Sequence, residues 1–282
     1  MDVREKSRAN ENVVYAGRGR MVKGRQKLLK RILGIVFLST FLLVFISPAE
    51  AEAYNEIESI EIDATLQENG SVIIRDHRIF YAVEGTEHYI SLGDLGDSDL
   101  LSFVVYDENN AALDYDDAWD LDASFSEKAG KYGINYSGDE LELCFGLGAY
   151  GRREFTIEYE LSNFIFNLAD DHQAFYWQFI NPEMEPIAEI EIRVKNDISL
   201  EFEYPESRLW GFGHAGGSTE ILNDALTFTS GDYFDQSDYV VLLGVFAGTP
   251  FLTDYALDIS SDDLIGMALV SITGKSPMIS TL

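Results

Sequence analysis

From Tyr54 onward the chain alternates apolar and polar residues with a period of two. In residues 60–66, Ile60, Ile62, Ala64 and Leu66 share one parity while Glu61, Asp63 and Thr65 take the other, the pattern of a half-buried strand. Asn69-Gly70 follows, a hairpin signal because a type I′ turn needs positive φ at both central residues. Residues 72–83 are the predicted return strand. The pattern recurs in 101–115, turning at Asn109-Asn110, and in 134–147, turning at Gly138-Asp139 with Leu141, Leu143 and Phe145 alternating. It recurs again in 153–161, where Phe155, Ile157, Tyr159 and Leu161 alternate with Glu154, Thr156, Glu158 and Glu160, and in 186–197, 198–207 and 225–246. Many short alternating strands predict an all-β fold, an antiparallel β-sandwich of immunoglobulin or jelly-roll type. The helical signal is confined to one short segment after the cap candidates Ser260, Ser261 and Asp262.

The first fifty residues follow a different pattern. A basic run, Lys23 to Arg31, precedes an apolar run, Ile32 to Ser47, and then Pro48-Ala49-Glu50-Ala51-Glu52-Ala53. A positive region, an apolar core and a small-x-small exit describe a secretory signal peptide cleaved after Ala51 or Ala53. An uncleaved anchor is the alternative, with Lys30 and Arg31 snorkelling to lengthen the span. Met21 is an alternative start that leaves the targeting signal intact. The predicted organisation is a basic segment with its signal at 1–53, an extracytoplasmic β domain at 54–250 and a C-terminal tail at 251–282.

Charge sharpens this division. Of 20 Lys and Arg and 49 Asp and Glu, residues 1–53 hold ten and five, which leaves ten and 44 in the remainder, a formal charge of −34. A basic flank before an acidic exported part fits the positive-inside asymmetry. The acidity excludes nucleic acid and anionic lipid as partners of the exported part, and suits a cationic partner, divalent ions or simple solubility. With Cys144 alone, no intramolecular disulfide framework exists and the core must stabilise the fold.

Candidate chemistry is sparse. Gly211, Gly213 and Gly216 match the spacing of a dinucleotide loop, but strand-like residues 221–228 follow where that loop requires a helix, so a loop or hairpin is expected instead. Asp114, Asp116, Asp117, Asp120 and Asp122 are the candidate calcium ligands, although the EF-hand glycine and distal glutamate are missing, and a solvated acidic loop is the plainer reading. Asp170 and Asp171 precede the aromatic run Phe175, Tyr176, Trp177 and Phe179; with Phe175, Trp177 and Phe179 on the core parity, Tyr176 faces outward. Asp170, Asp171, Tyr176, Trp177, Trp210 and His214 form the candidate binding set for a glycan or an envelope protein. No nucleophile elbow or zinc motif occurs, and His77, His88, His172 and His214 lie far apart. Cys144 is expected half-exposed beside Glu142, which disfavours a thiolate. Paired carboxylates suited to glycoside hydrolysis arise by chance among 44 acidic residues.

The ordered set "LQENGSVIIRDHRIFY", "REFTIEYEL", "DDHQAFYWQFI", a Trp/Gly/His turn and "SDYVVLLGVF" resembles the DUF2207 family of predicted bacterial membrane proteins over roughly residues 55 to 250. The resemblance implies a signal-led, extracytoplasmic β-rich domain in the cell envelope, and no catalytic residues. Members continue into transmembrane helices, which residues 251–282 do not contain; a tail truncated before them, a single-anchor form and a released protein all fit. The sequence therefore describes an exported or anchored protein whose β domain mediates binding or assembly, with a carbohydrate-active enzyme or glycan module and a calcium-stabilised surface domain as alternatives. Intact mass of the protein from its own host's medium and membranes checks the export signal: cleavage predicts a start at Glu52 or Tyr54, and retention of residues 32–47 contradicts it.

Overall fold

The computed structural model describes residues 55–93, 95–138 and 140–271; residues 1–54 with the signal region, Asp94, Asp139 and residues 272–282 lie outside it. Fifteen strands and two helices are formed among the described residues, in three sheets. The longest sheet runs β13 (Ser218–Leu222), β14 (Ala225–Thr229), β11 (Ile187–Asn196), β1 (Glu56–Leu66), β2 (Val72–Ala82), β8 (Gly151–Leu161) and β4 (Leu100–Tyr106). A second contains β3 (Glu87–Gly93), β7 (Glu140–Gly146), β6 (Lys131–Ser137) and β5 (Asp114–Asp116), with a helical turn α1 (Phe125–Lys128) between β5 and β6. The third is β12 (Ser207–Phe212), β15 (Val240–Ala247), β10 (His172–Ile180) and β9 (Phe166–Asn167).

The alternation places the core as expected. Ile60, Ile62, Ala64 and Leu66 are buried, as are Phe155, Ile157, Tyr159 and Leu161. They join one apolar cluster with Leu143 and Phe145 of the second sheet and Phe175, Leu242 and Phe246 of the third. One core thus lies where the long sheet meets both shorter ones. Burying a Leu, Ile or Phe side chain stabilises by about 1.5–3 kcal/mol, so this shared cluster is the main source of cohesion.

The expectation of purely antiparallel sheets is corrected at two pairs. β1 pairs in parallel with β11, Ile60 opposite Ile190 and Ile62 opposite Ile192, and β5 pairs in parallel with β6. Parallel neighbours require long crossovers, and the chain supplies one by passing through the second and third sheets between β1 and β11. Residues 198–206, expected as strand, form none. Ser199 takes a positive φ, the Asn196 side chain accepts the Leu200 N–H, and Pro205 has no N–H to give a ladder.

The β1–β2 turn also differs from the type I′ expectation. Only Gly70 has positive φ, at +81°; its N–H bonds to the Gln67 carbonyl, and the Gln67 N–H bonds to Ser71. This is a three-residue loop closed by a left-handed residue. The turn after β4 repeats it, with Asn110 at φ +59° and the Asp107 carboxylate accepting the N–H groups of Asn109 and Ala111.

Residues 251–271 pack on the domain. The Phe251 N–H donates to Gln173 Oε1, and the Asn167 side chain donates to the Thr253 carbonyl. The predicted helix forms as α2 (Ser261–Ser271), where Ser260 Oγ accepts the Asp263 N–H and Asp262 and Asp263 favour the positive end of the helix dipole. Leu264 and Ala268 bury against the outer face of the third sheet. Among the described residues no helix is long and apolar enough to cross a membrane.

A side chain at position 70 would be strained by its φ and would press on Thr253 Cβ at 2.7 Å. Gly70→Ala is expected to lower the urea-unfolding free energy by at least about 1–2 kcal/mol, the ordinary penalty for a left-handed L-residue. Asn110→Gly should leave it near wild type; equal stability of G70A and wild type would refute the turn geometry.

Candidate interaction surface

The six residues of the candidate binding set do not form one site. Tyr176 and Trp210 stand opposite the same residue, Leu243, on either side of β15, so they share one face of the third sheet. That face carries the second apolar cluster, with Leu264 and Ala268 of α2, and both rings, half-buried, pack against it. Trp177 has the other parity and packs into the main core beside Phe164, ring centroids 5.7 Å apart. Asp170 holds the start of α2, accepting the Ser261 N–H at 3.0 Å and hydroxyl at 2.8 Å. Burial opposes its ionisation, but the Ser261 bonds and the neighbouring His172 outweigh this and keep the carboxyl below its ordinary range. Asp171 turns the chain with a φ of +58°.

His214 lies apart from the others. Nδ1 meets Asp238 Oδ2 at 3.0 Å, while Nε2 meets the Ser230 carbonyl at 3.0 Å and Asp232 Oδ1 at 2.8 Å. All its partners are acceptors, so the ring acts as a clasp between the loop after β12 and the loop before β15. Gly213 in that loop has a φ of +104°, and a Cβ there would collide with the Tyr239 carbonyl. The glycines therefore serve a strand-to-strand connection, with β13 following as the sequence suggested.

The acidic set is likewise dispersed. Asp116 pairs with Lys131 at 3.0 Å, Asp120 accepts the Asp122 N–H, and Asp114 is exposed on β5. Among the described residues no three His, Cys, Asp or Glu side chains converge to hold a metal ion. A cavity of about 270 Å³ near the β1–β2 turn is lined partly by Glu68, Glu160 and Asp197, and Glu160 already accepts the Ser71 hydroxyl. Cys144 is buried, not half-exposed, and burial first, then Glu87 and Glu142, pushes its thiol up to about 12. The cover on this face is Trp119, packed on Gly133 opposite Cys144.

Two polar clusters escaped the sequence reading. On β2 the inward parity runs Val72, Ile74, Asp76, Arg78, Phe80 and Ala82, so a carboxylate and a guanidinium enter the core together. They bond bidentately, at 2.9 and 2.8 Å, each 1 % exposed. Arg78 Nη1 also donates to His88 Nε2 at 3.1 Å, which joins the long sheet to β3. Burial, and secondly the Arg78 charge, lowers His88 to about 3. Burial and the Asp76 charge push the Tyr159 phenol upward. The second cluster is Lys128, buried and bonded to Thr86, the Leu121 carbonyl and Glu87, whose other oxygen takes the Trp119 N–H at 2.7 Å. The first was legible in outline, because Asp76 and Arg78 fall on the apolar parity; nothing local marked Lys128.

Among the described residues, part of the edge of β4 is open. This strand ends the long sheet, and its residues, LLSFVVY, include no charge and no proline. Leu101 lies at a bulge opposite β8 and is 53 % exposed. The Leu113 N–H bonds to the Val105 carbonyl, so Val105 directs its backbone away from β8, and by strand alternation Phe103 does too. Beside this edge lies an open cavity of about 410 Å³ whose lining includes Leu101, Phe103, Tyr115, Tyr132 and Ile134. Phe103 and Tyr132 meet edge to face at 4.9 Å, and Tyr115 meets Tyr132 at 5.3 Å, forming an aromatic floor. The opposite edge, β13, carries Glu220 and exposes alternate residues.

These features define an all-β domain with one sheet edge open beside an apolar groove. The chain belongs to the DUF2207 family, described as the N-terminal domain of a predicted membrane protein, whose sequence profile matches residues 56–234. No curated protein matches the sequence. Among solved structures it is similar to a yeast LTA4 hydrolase (6 % identity, TM-score 0.41, covering 70 % of this chain and 31 % of that one). It is also similar to an M1 zinc metallopeptidase from Deinococcus radiodurans (12 %, 0.33, covering 71 % and 44 %). A third is a provisionally assigned nutrient-binding protein from Legionella pneumophila (12 %, 0.40, covering 71 % and 69 %). The chain thus spans less than half the length of the LTA4 hydrolase and of the metallopeptidase.

The His88 environment gives stability a pH dependence. Above its ordinary value of 6.5 both folded and unfolded chains hold a neutral ring; below it the unfolded chain gains a proton that the folded chain refuses until about pH 3. Stability is therefore fully present above pH 6.5 and is lost as pH falls, by up to about 1.4 kcal/mol per unit from this residue. Urea unfolding of His88→Gln should show a shallower loss between pH 7 and 5 than wild type. Identical slopes would contradict the neutral buried ring.

Proposed function

We propose that the chain is an exported, membrane-associated envelope protein whose β domain, a sandwich of the long sheet against the two shorter ones, binds or assembles with a protein partner through the free edge of β4. One observation carries this reading: an uncharged edge strand runs beside an open apolar groove. An unprotected edge is a template for strand addition, in which backbone hydrogen bonds give affinity and side-chain pockets set register. Natural sheets usually blunt such edges with charge, as Glu220 does on β13. Membrane association is supported by the family description, and an extracytoplasmic position by the basic flank before Ile32 and the acidic chain after it. A glycan platform has less support, since Tyr176 and Trp210 are half-buried against the apolar cluster that Leu264 and Ala268 of α2 join.

Photo-crosslinking in the protein's own host tests this, with a photoreactive residue at Leu101 or, as control, at Glu220. A discrete adduct is expected from position 101, absent from 220 and lost when Phe103→Pro is added. No adduct at 101, or equal labelling at both edges, would overturn the assignment.

A further inference from the structure

Resting on the strand-addition reading, we infer that the occupant of the β4 groove is an extended peptide segment with alternating apolar residues and basic flanks, and not a second copy of this chain. The apolar requirement follows from the groove wall, where Leu101, Phe103, Tyr115 and Ile134 offer carbon surface and no charge. An added strand presents every second side chain to one face, so alternation matches the floor made by Phe103 and Tyr132. The template is short, because residues 111–113 already cover the edge at Val105 and Tyr106.

The basic requirement follows from what frames the groove. Asp97 and Asp99 are exposed just before β4, Asp107 and Glu108 follow it, and Asp114 is exposed on the facing strand β5. Lys131, one nearby cation, is taken by Asp116. Glu108 meets Arg153 at 3.2 Å and the Asp97 carboxylate is hydrogen-bonded to Tyr255, so the carboxylates left to act on the groove are Asp99 and Asp114. Carboxylates at a groove mouth steer and retain cationic flanks. The same charges oppose self-association: antiparallel pairing of two β4 edges would bring Asp97 and Asp99 of one copy against Asp107 and Glu108 of the other, in chains that each carry a large negative charge.

The test is fluorescence anisotropy with the purified full-length chain and two labelled peptides sharing a Val-Thr-Val-Thr core, one flanked by paired lysines and one by paired glutamates. The lysine-flanked peptide should bind at least about tenfold more tightly, with the difference shrinking at high salt and in an Asp99→Asn/Asp114→Asn variant. Phe103→Pro should abolish binding by removing the outward N–H; Leu101→Asn, a change at an exposed side chain, should weaken it while keeping the wild-type melting temperature. Equal affinity for both peptides, with both lost in F103P, would leave strand addition standing and overturn the basic flank. Failure of both peptides to bind would overturn both readings. A concentration-dependent dimer in sedimentation that F103P dissolves would assign the edge to a second copy and refute the inference.

Discussion

The ion pair between Asp76 and Arg78 sets the terms for everything packed around it. Two charges on one strand face sit in the core that the three sheets share, sealed to 1 % exposure. Removing such charges from water costs several kcal/mol per ion, and the cost is offset only when every donor and acceptor is met at good geometry. Asp76 takes two of the guanidinium bonds, and the third goes to His88 on a different sheet. The seating of β3 on β2 is thereby fixed by direction as well as by apolar contact, and Phe80 stacking on His88 at 4.9 Å reinforces it.

That seating explains the open surface. The second sheet follows β3 through β7 and β6 to β5, so the Arg78–His88 bond at one side helps determine where β5 and β6 arrive at the other. They arrive beside the end of the long sheet without pairing to β4; Phe103 touches Tyr132 by its ring and not by a backbone ladder. The gap between a satisfied core and an unsatisfied edge is the groove. The third sheet, by contrast, has its outer face closed by α2, whose start is held by Asp170 and Ser260.

Period-two alternation made most of the fold legible, because a strand buried on one face writes its orientation into every second residue. Ile60, Ile62 and Leu66 entered the core on that rule, as did Phe175 and Phe179. The rule cannot see pairing partners, so the parallel match of β1 with β11 and the third sheet were hidden. It also reads polarity as exposure, which is why Asp76 and Arg78 passed unnoticed on the buried parity. The same parity placed Tyr176 and Trp177 on opposite faces of β10, where each meets a different hydrophobic cluster; what the alternation left out is that α2 packs on the Tyr176 side. The β4 edge was invisible because a strand's place in its sheet depends on residues far away.

The claim that β4 is an open template is tested most directly by amide hydrogen exchange in the free full-length chain, read residue by residue by NMR. Val104, which faces β8, should be protected, and Phe103, which faces the groove, should exchange rapidly until a bound strand protects it. Strong protection of Phe103 in the free chain would mean that the edge is already paired, and would contradict the account.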